Sequence, residues 1–428
     1  MFGVINMEKL IKKEKHILSI DLKSFFASCE CVMRGIDPFK VPLVVANPNQ
    51  GKGAITLAVT PYLKKQGVKS RGRLYEIPNS IRYIIVQPRM NSYIKFSEKV
   101  ISVYLDYVAK EDLFVYSIDE CFLDVTDYLK LYKKTDYELA NEILKEITKR
   151  TGLTATCGIG PNILLAKVAM DVEAKLEKNG IAKWDYSDVK NKLWSITPLS
   201  KMWGIGPRME KKLNSLGILS IGDLALYDKN KLIDKFGVMG RELWEHANGI
   251  DFSSIKDMNN YKPLDKSYSN SQVLFKDYNQ NNIEIIIKEM VDVVSKRLRK
   301  NNKQAYVIGL AIGYSKNIGG GFYHVMKLDI PTDENKTILD VCNILFNRYY
   351  NGSPIRKVGV SLGRLVNKSS IQLSLFDDLE IINKENEKNK VIDNITEKFG
   401  KNSLLRASAL LEDSTIMERN KKIGGHSA

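Results

Sequence analysis

The segment His16 to Asp21, HILSID, is a short apolar run that ends on a carboxylate, and LKSFFASCE after it carries helical spacing. It reads as a strand that hands over to a helix at an acidic residue. Further along, DLFVYSIDECFLDVT alternates Phe114, Tyr116 and Ile118 with Val115, Ser117 and Asp119. A turn at the acidic pair lets the strand resume through Phe122 and Asp124, which predicts a hairpin with Asp119 and Glu120 at its tip. Asp21, Asp119 and Glu120 can then meet at one sheet edge. Helical patterns from Tyr93 to Val108 and Leu139 to Thr148, the strand-like TATCGIG and a helix starting near Pro161 complete the order strand, helix, hairpin, helix, strand. That order predicts a small mixed α/β layer.

One such layer uses only part of a 428-residue chain. At about 100–200 residues per domain, three or four domains are expected. Lys and Arg total 65 against 50 Asp and Glu, a net charge of +15. A polyanion is the natural partner of such a surface, although a merely soluble basic protein carries the same balance. No run reaches the roughly 18–20 apolar residues that span a bilayer, so no membrane partner is expected. MFGVINMEKLIKKEK has charged residues where a signal peptide needs an apolar core, which predicts a cytoplasmic location. Cys29, Cys31, Cys121, Cys157 and Cys342 form no CxxC pair, and only four histidines could complete a zinc site. They read as buried small hydrophobes.

Val41 to Thr60 is a second βα-type region, leading into the basic stretch PYLKKQGVKSRGR. From about residue 190 to 250 the character changes. PLSKMWGIGPRMEKKLNSLGILSIGDLA sets Gly-Ile-Gly between two helical patterns. Such a helix-hairpin-helix turn aims backbone N–H groups at a phosphate, while a plain helical turn with glycine caps is the alternative. The flanking Lys201, Arg208, Lys211 and Lys212 favour phosphate. DMNNY, Asp257 to Tyr261, reads as a linker. Ile283 to Leu298 reads as an amphipathic helix with a basic end, SKRLRKNNK, suited to a solvated face or a duplex backbone. Strands are expected at Ala305 to Tyr314, Tyr323 to Ile330 and Arg356 to Leu365, with a helix before the last.

Gathered carboxylates repel one another unless cations neutralise them. Magnesium suits hard oxygen ligands, and two ions roughly 3.5–4 Å apart could activate a 3′-hydroxyl and clamp a leaving pyrophosphate. Acidic pairs are also common in turns, so spacing alone does not establish catalysis.

SIDLKSFFASCE, YSIDECFLDVT and CGIGPNILLAKVAMD resemble, in order and separation, three signature segments of the Y-family DNA polymerases. PLSKMWGIGPRMEKKLNSLGI resembles the thumb segment of that family. The likeness runs from His16 to Leu365 and is nearer the UmuC-like than the DinB-like bacterial branch. It implies an α+β multidomain right-hand polymerase. Its parts would be a ferredoxin-like palm (1–25 and 81–188), small fingers (26–80), a helical helix-hairpin-helix thumb (189–252), a linker (253–264), an α/β little finger (265–368) and a tail (369–428).

The resemblance also implies roles. Asp21, Asp119 and Glu120 would hold two Mg²⁺ ions, with Mn²⁺ able to substitute and the Leu22 carbonyl as a backbone ligand. Phe26 would be the steric gate that favours dNTPs, and Lys167 would contact the triphosphate. Where the family has Tyr three residues before Arg in the fingers, this chain has Pro61 and Lys64, with Tyr62 displaced by one. Lys23 stands where many relatives are acidic. Gly204, Gly206, Arg208, Lys211, Arg297, Arg299 and Lys300 would face primer–template DNA. QLSLFD resembles a sliding-clamp-binding peptide through Gln372, Leu373, Leu375 and Phe376. VIDNITEKFGKNSLLRASALL beyond it could dock on the protein or engage a partner. The activity implied is monomeric, low-fidelity translesion synthesis without proofreading. The alternative is a non-catalytic scaffold that binds DNA and clamp. A nucleotidyl cyclase is disfavoured by the thumb-like hairpin segment and the clamp-like peptide.

Overall fold

The computed structural model describes residues 15–263, 266–368 and 379–427. The chain parts into two compact units between Tyr261 and Lys262, with the last residues from His426 grouped with the first.

β1 (Ile17–Leu22) buries its apolar residues and is the middle strand of the larger sheet of the first unit. Helix α1 (Phe25–Met33) follows it. The chain then builds a smaller sheet from β2 (Leu43–Ala46), β3 (Ile55–Val59), β4 (Gly72–Arg73) and β5 (Ile84–Val86), with the short helix α2 (Pro61–Lys65) after β3. It returns through α3 (Met90–Leu105), a hairpin of β6 (Leu113–Val115) and β7 (Glu120–Asp124), and the short α4 (Tyr128–Tyr132). α5 (Asp136–Thr151), β8 (Ala155–Gly160), α6 (Ile163–Ala169) and β9 (Ile181–Lys183) complete this part. The larger sheet runs β6-β7-β1-β8-β9, antiparallel from β6 to β8. This is the split βαββαβ order of a ferredoxin-like layer, extended by a parallel β9. α1 shares its core with this layer, since Phe25, Ala27, Cys29 and Cys31 pack with Leu18, Ile20, Tyr93 and Ile143.

The glycines of CGIG set how closely α6 lies on β8. A Cβ at Gly158 would stand 2.0 Å from the Ala166 carbonyl oxygen, and one at Gly160 2.4 Å from the Ala166 nitrogen. Only glycine permits that approach. Asn162 caps the helix by accepting from the Leu165 N–H at 2.8 Å.

Four helices follow: α7 (Pro207–Asn214), α8 (Ile221–Leu226), α9 (Lys229–Phe236) and α10 (Val238–Ala247). They bury Leu213, Ile218, Leu224, Leu232 and Leu243 together. The expected linker DMNNY is instead mostly helix α11 (Ile255–Asn260). Ser254 caps it by accepting from the Asp257 N–H, Ile255 is buried, and Asn259 donates to the Leu113 carbonyl at 3.0 Å.

In the second unit, β10 (Tyr268–Tyr278), β11 (Lys303–Tyr314), β12 (Gly321–Thr332) and β13 (Ile355–Asn367) form an antiparallel sheet in the order β10-β13-β11-β12. Helices α12 (Ile283–Lys300) and α13 (Asn335–Tyr349) close one face over Ile308, Leu310, Val358 and Val360. β10 was not expected. The tail docks on α12 through α14 (Leu379–Phe399) and the segment reaching α15 (Ile416–Asn420). Asp393 pairs with Arg299 at 2.6 Å and Glu397 with Lys300 at 2.7 Å, while Arg297 donates to the Ser269 carbonyl. The basic end of α12, expected to face a duplex, thus has partners within its own chain. Buried Glu289 accepts from Ser414 Oγ at 2.7 Å and from the Thr415 N–H at 3.0 Å.

Asp136 ties the start of β1 to β9. It is buried, with His16 Nδ1 and Lys183 Nζ within 2.7 and 2.8 Å. Burial alone would raise its carboxyl, but the hydrogen bonds from Lys183 and His16 hold it below the ordinary 3.8. A depressed folded value means that its stabilisation is whole above 3.8 and is lost as pH falls through that lower value. Asp136→Asn is expected to lower the melting temperature at pH 7 and to flatten the acid limb of a melting-temperature profile below about pH 4.

Candidate active site

The site begins with backbone register. Asp21 at the end of β1 stands opposite Glu120, the first residue of β7. The Leu22 N–H donates to the Asp119 carbonyl at 3.0 Å, which pins the 116–119 loop to the end of β1. The Asp119 carboxylate accepts from Ser117 Oγ at 2.7 Å. Backbone geometry therefore brings the three expected carboxylates to one sheet edge.

Their side chains are not left alone. Among the described residues, no three acidic, histidine or cysteine side chains gather closely enough to cage an ion. Lysines come between them. Lys167, buried on α6, puts its ammonium 2.7 Å from Glu120 Oε1 and 2.9 Å from Asp171 Oδ2. Lys175, a turn further on and 41% exposed, lies 3.1 Å from Asp21 Oδ2 and 2.6 Å from Asp171 Oδ1. Lys64 lies in the last turn of α2, and desolvation holds its ammonium below the usual lysine range against the upward pull of Asp21 and Asp119.

These cations only partly offset the cost of burial. Burial pushes the Asp21 carboxyl above its usual range despite Lys175, and Asp119 adds to the rise. Burial likewise raises Glu120 despite Lys167. For Lys175, burial acts downward but Asp21 and Asp171 outweigh it, so its ammonium is held more firmly than usual. Glu120 Oε1 is buried beside the Lys167 ammonium, and yet its carboxyl stays raised. Hard carboxylate oxygens, incompletely neutralised, fit a hard divalent cation. The five cysteines are buried and free, as expected, and offer no competing soft site.

Phe26 is half-buried and stacks on Tyr93, with ring centroids 4.8 Å apart at 28°. Phe25 is the core ring, at 3% exposure. Tyr62 packs at the margin of the small-sheet core, and Pro61 opens α2 behind Thr60. In the thumb-like turn Gly204 has φ +90°, open to glycine at no cost, and Gly206 precedes α7. Arg208, Lys211 and Lys212 are exposed. Trp203 Nε1 donates to the Tyr116 hydroxyl at 3.2 Å, which ties this turn to the loop that carries Asp119. Gln372, Leu373, Leu375 and Phe376 lie outside the described residues.

Sequence reasoning named Lys167 and passed over Lys175 and Asp171. The signal was present: positions 167, 171 and 175 are four apart and share one helical face. Lys167 is committed to Glu120 and Asp171, so the more exposed ammonium at the mouth of the site is that of Lys175.

The sequence profile of the impB/mucB/samB family matches residues 20–171, that of the family's C-terminal domain residues 265–375, and that of its helix-hairpin-helix motif residues 186–218. A Bacillus subtilis (strain 168) protein whose name describes UV-damage repair, UvrX, is 40% identical over 422 residues, covering 96% of this chain and 97% of its own. DNA polymerase IV 2 of the same organism is 33% identical over 422 residues, covering 97% of this chain and 99% of its own. Among solved structures, a Y-family DNA polymerase chimera of Dbh and Dpo4 superimposes with a TM-score of 0.65 at 24% identity, covering 82% of this chain and 99% of its own. That likeness speaks for the fold.

Proposed function

Because this chain belongs to the impB/mucB/samB family, the Y-family DNA polymerases, we propose that it extends a primer along a DNA template past damaged positions, adding dNTPs by nucleotidyl transfer. It is a DNA-directed DNA polymerase. The observation that carries the site assignment is the register that sets Asp21 against Glu120 and bonds Leu22 to Asp119, with lysines on the open side.

Asp21, Asp119, Glu120 and the Leu22 carbonyl would hold two Mg²⁺ ions, or Mn²⁺ in their place, which supply Lewis acidity at the attacking and leaving oxygens. Lys167 holds Glu120 in position from a buried seat. Lys175 and Lys64 are the reachable ammonium groups, and they balance charge that develops on the leaving pyrophosphate. Phe26 crowds a ribose 2′-hydroxyl. Tyr62 contributes to the packing of the fingers.

In domain terms, the ferredoxin-like layer with α1 is the palm, the small sheet the fingers, α7 to α10 the thumb and the second sheet the little finger. The thumb turn at Gly204 and Gly206 takes template or primer phosphate, and Arg208 and Lys211 add counter-charge. Gln372 to Asp377 would engage a sliding clamp. The chain would work as a monomer.

The test is primer extension across an abasic template position with dNTPs and Mg²⁺. Templated addition is expected. Normal primer–template binding without any incorporation would overturn the polymerase reading in favour of a scaffold. On the binding side, Arg208→Ala with Lys211→Ala is expected to weaken DNA binding alike for all sequences. It should reduce the slope of log K against log salt by about two, as read by anisotropy titration at several salt concentrations.

A further inference from the structure

Glu30 is a fully buried carboxylate on α1, four residues after Phe26 and so on the same helical face. Both of its oxygens are used. Oε1 accepts from the Tyr93 hydroxyl at 2.7 Å and from Arg89 Nε at 3.0 Å, and Oε2 accepts from Arg89 at 2.6 Å and also from Arg34. Burial acts to raise its carboxyl, and the bonds from Arg89, Tyr93 and Arg34 outweigh that and hold it below the ordinary 4.5. Tyr93 on α3 is also fully buried. Its ring stacks on Phe26 and meets Phe25 edge-on at 6.4 Å.

Core filling does not explain this arrangement. Burying the Glu30 carboxylate costs desolvation that an apolar residue of similar volume would not incur, and the half-exposed Arg34 and Arg89 only offset it. What the pairing provides is direction. The Tyr93 ring is fixed at one end by its hydroxyl and along its face by Phe26, while Phe26 sits two residues after Ser24, whose φ of +49° opens α1 in a left-handed turn. A half-buried aromatic ring beside such a turn has room to move unless something backs it. Rejecting one hydroxyl on a sugar requires that the rejecting ring not yield, since displacements of about 1 Å can change rates by ~10²-fold.

We propose that Tyr93, clamped through Glu30 by Arg89 and Arg34, is the positioning residue that holds the Phe26 ring against the sugar and so sets discrimination between deoxyribonucleotides and ribonucleotides. This rests on Phe26 being the gate. The experiment is single-nucleotide incorporation, comparing kcat/KM for a dNTP and its matching rNTP on one primer–template.

Phe26→Ala should collapse the ratio, and if it does not, the gate reading and this inference both fall. With the gate so established, Tyr93→Leu should lower the ratio roughly tenfold, mainly by a gain in ribonucleotide incorporation. Tyr93→Phe, which keeps the ring and cuts its tether to Glu30, should lower it about two- to threefold. Adding Tyr93→Leu to Phe26→Ala should change the ratio no further, as expected for two residues acting on one ring. A Tyr93→Leu variant that melts earlier yet keeps the parental ratio would reduce Tyr93 to a core residue and overturn the inference. If that variant does not fold, Tyr93→Phe decides: a parental ratio overturns it.

Discussion

Asp119→Ala yields a folded protein that extends a primer about 10³-fold more slowly than the parent, a loss of ~4 kcal/mol of transition-state stabilisation. The fold survives because backbone bonds hold this loop, from the Leu22 N–H to the Asp119 carbonyl and from the Tyr116 and Ser117 N–H groups to the Glu120 carbonyl, and the change removes only the side-chain bond from Ser117 Oγ. Without added metal the variant should melt no earlier than the parent. Asp119 contributes to the rise of the Asp21 carboxyl, so removing it relieves a like-charge repulsion that the nearby lysines only partly offset. With Mg²⁺ the order reverses. The parent gains melting temperature by mass action and the variant gains little. Thermal melts with and without Mg²⁺, beside single-turnover incorporation, check both halves. An early-melting, metal-free variant would place Asp119 among structural residues instead.

The placement of the three carboxylates, though not their role, was readable because each sits where local pattern is strong: Asp21 closes an apolar strand, and Asp119 with Glu120 interrupts a clean alternation. The helices α5 and α12 were legible for the same reason, their buried residues repeating at helical intervals. What escaped was carried by partners distant in the chain. Glu30 lies inside a recognised motif, but its role depends on Tyr93, 63 residues away. The basic end of α12 looked free for DNA because Asp393 and Glu397, its partners, arrive from a tail whose docking no local spacing announces. β10 was invisible for another reason. It is an edge strand that buries only Leu274 and Tyr278 and exposes Val273 and Phe275, so no clean alternation of apolar and polar residues marks it. DMNNY divides differently: the two units do part at its end, after Tyr261, while its polar composition hid a helix that Ser254 caps one turn earlier.

Lys175→Ala should reduce nucleotide incorporation by about 10²-fold, close to the effect of removing one preorganised charge donor from a phosphoryl-transfer site. Its melting behaviour should be opposite to that of Asp119→Ala. Lys175 pairs with both Asp21 and Asp171, and without it the burial of Asp21 and its repulsion from Asp119 meet less compensation, so the metal-free protein melts earlier than the parent. Part of that loss is regained with Mg²⁺, because a cation at Asp21 restores the balance that the ammonium supplied. Lys167→Ala separates the two lysines. Its ammonium is buried between Glu120 and Asp171, so its removal strands a buried carboxylate and should lower stability more than Lys175→Ala does. Lys175→Ala should in turn raise KM for dNTP more than Lys167→Ala, since its ammonium is the more exposed of the two. Steady-state kinetics on the two variants, set beside their melts, tests this division. If Lys167→Ala raised KM and Lys175→Ala left it unchanged, the assignment of the two lysines would be reversed.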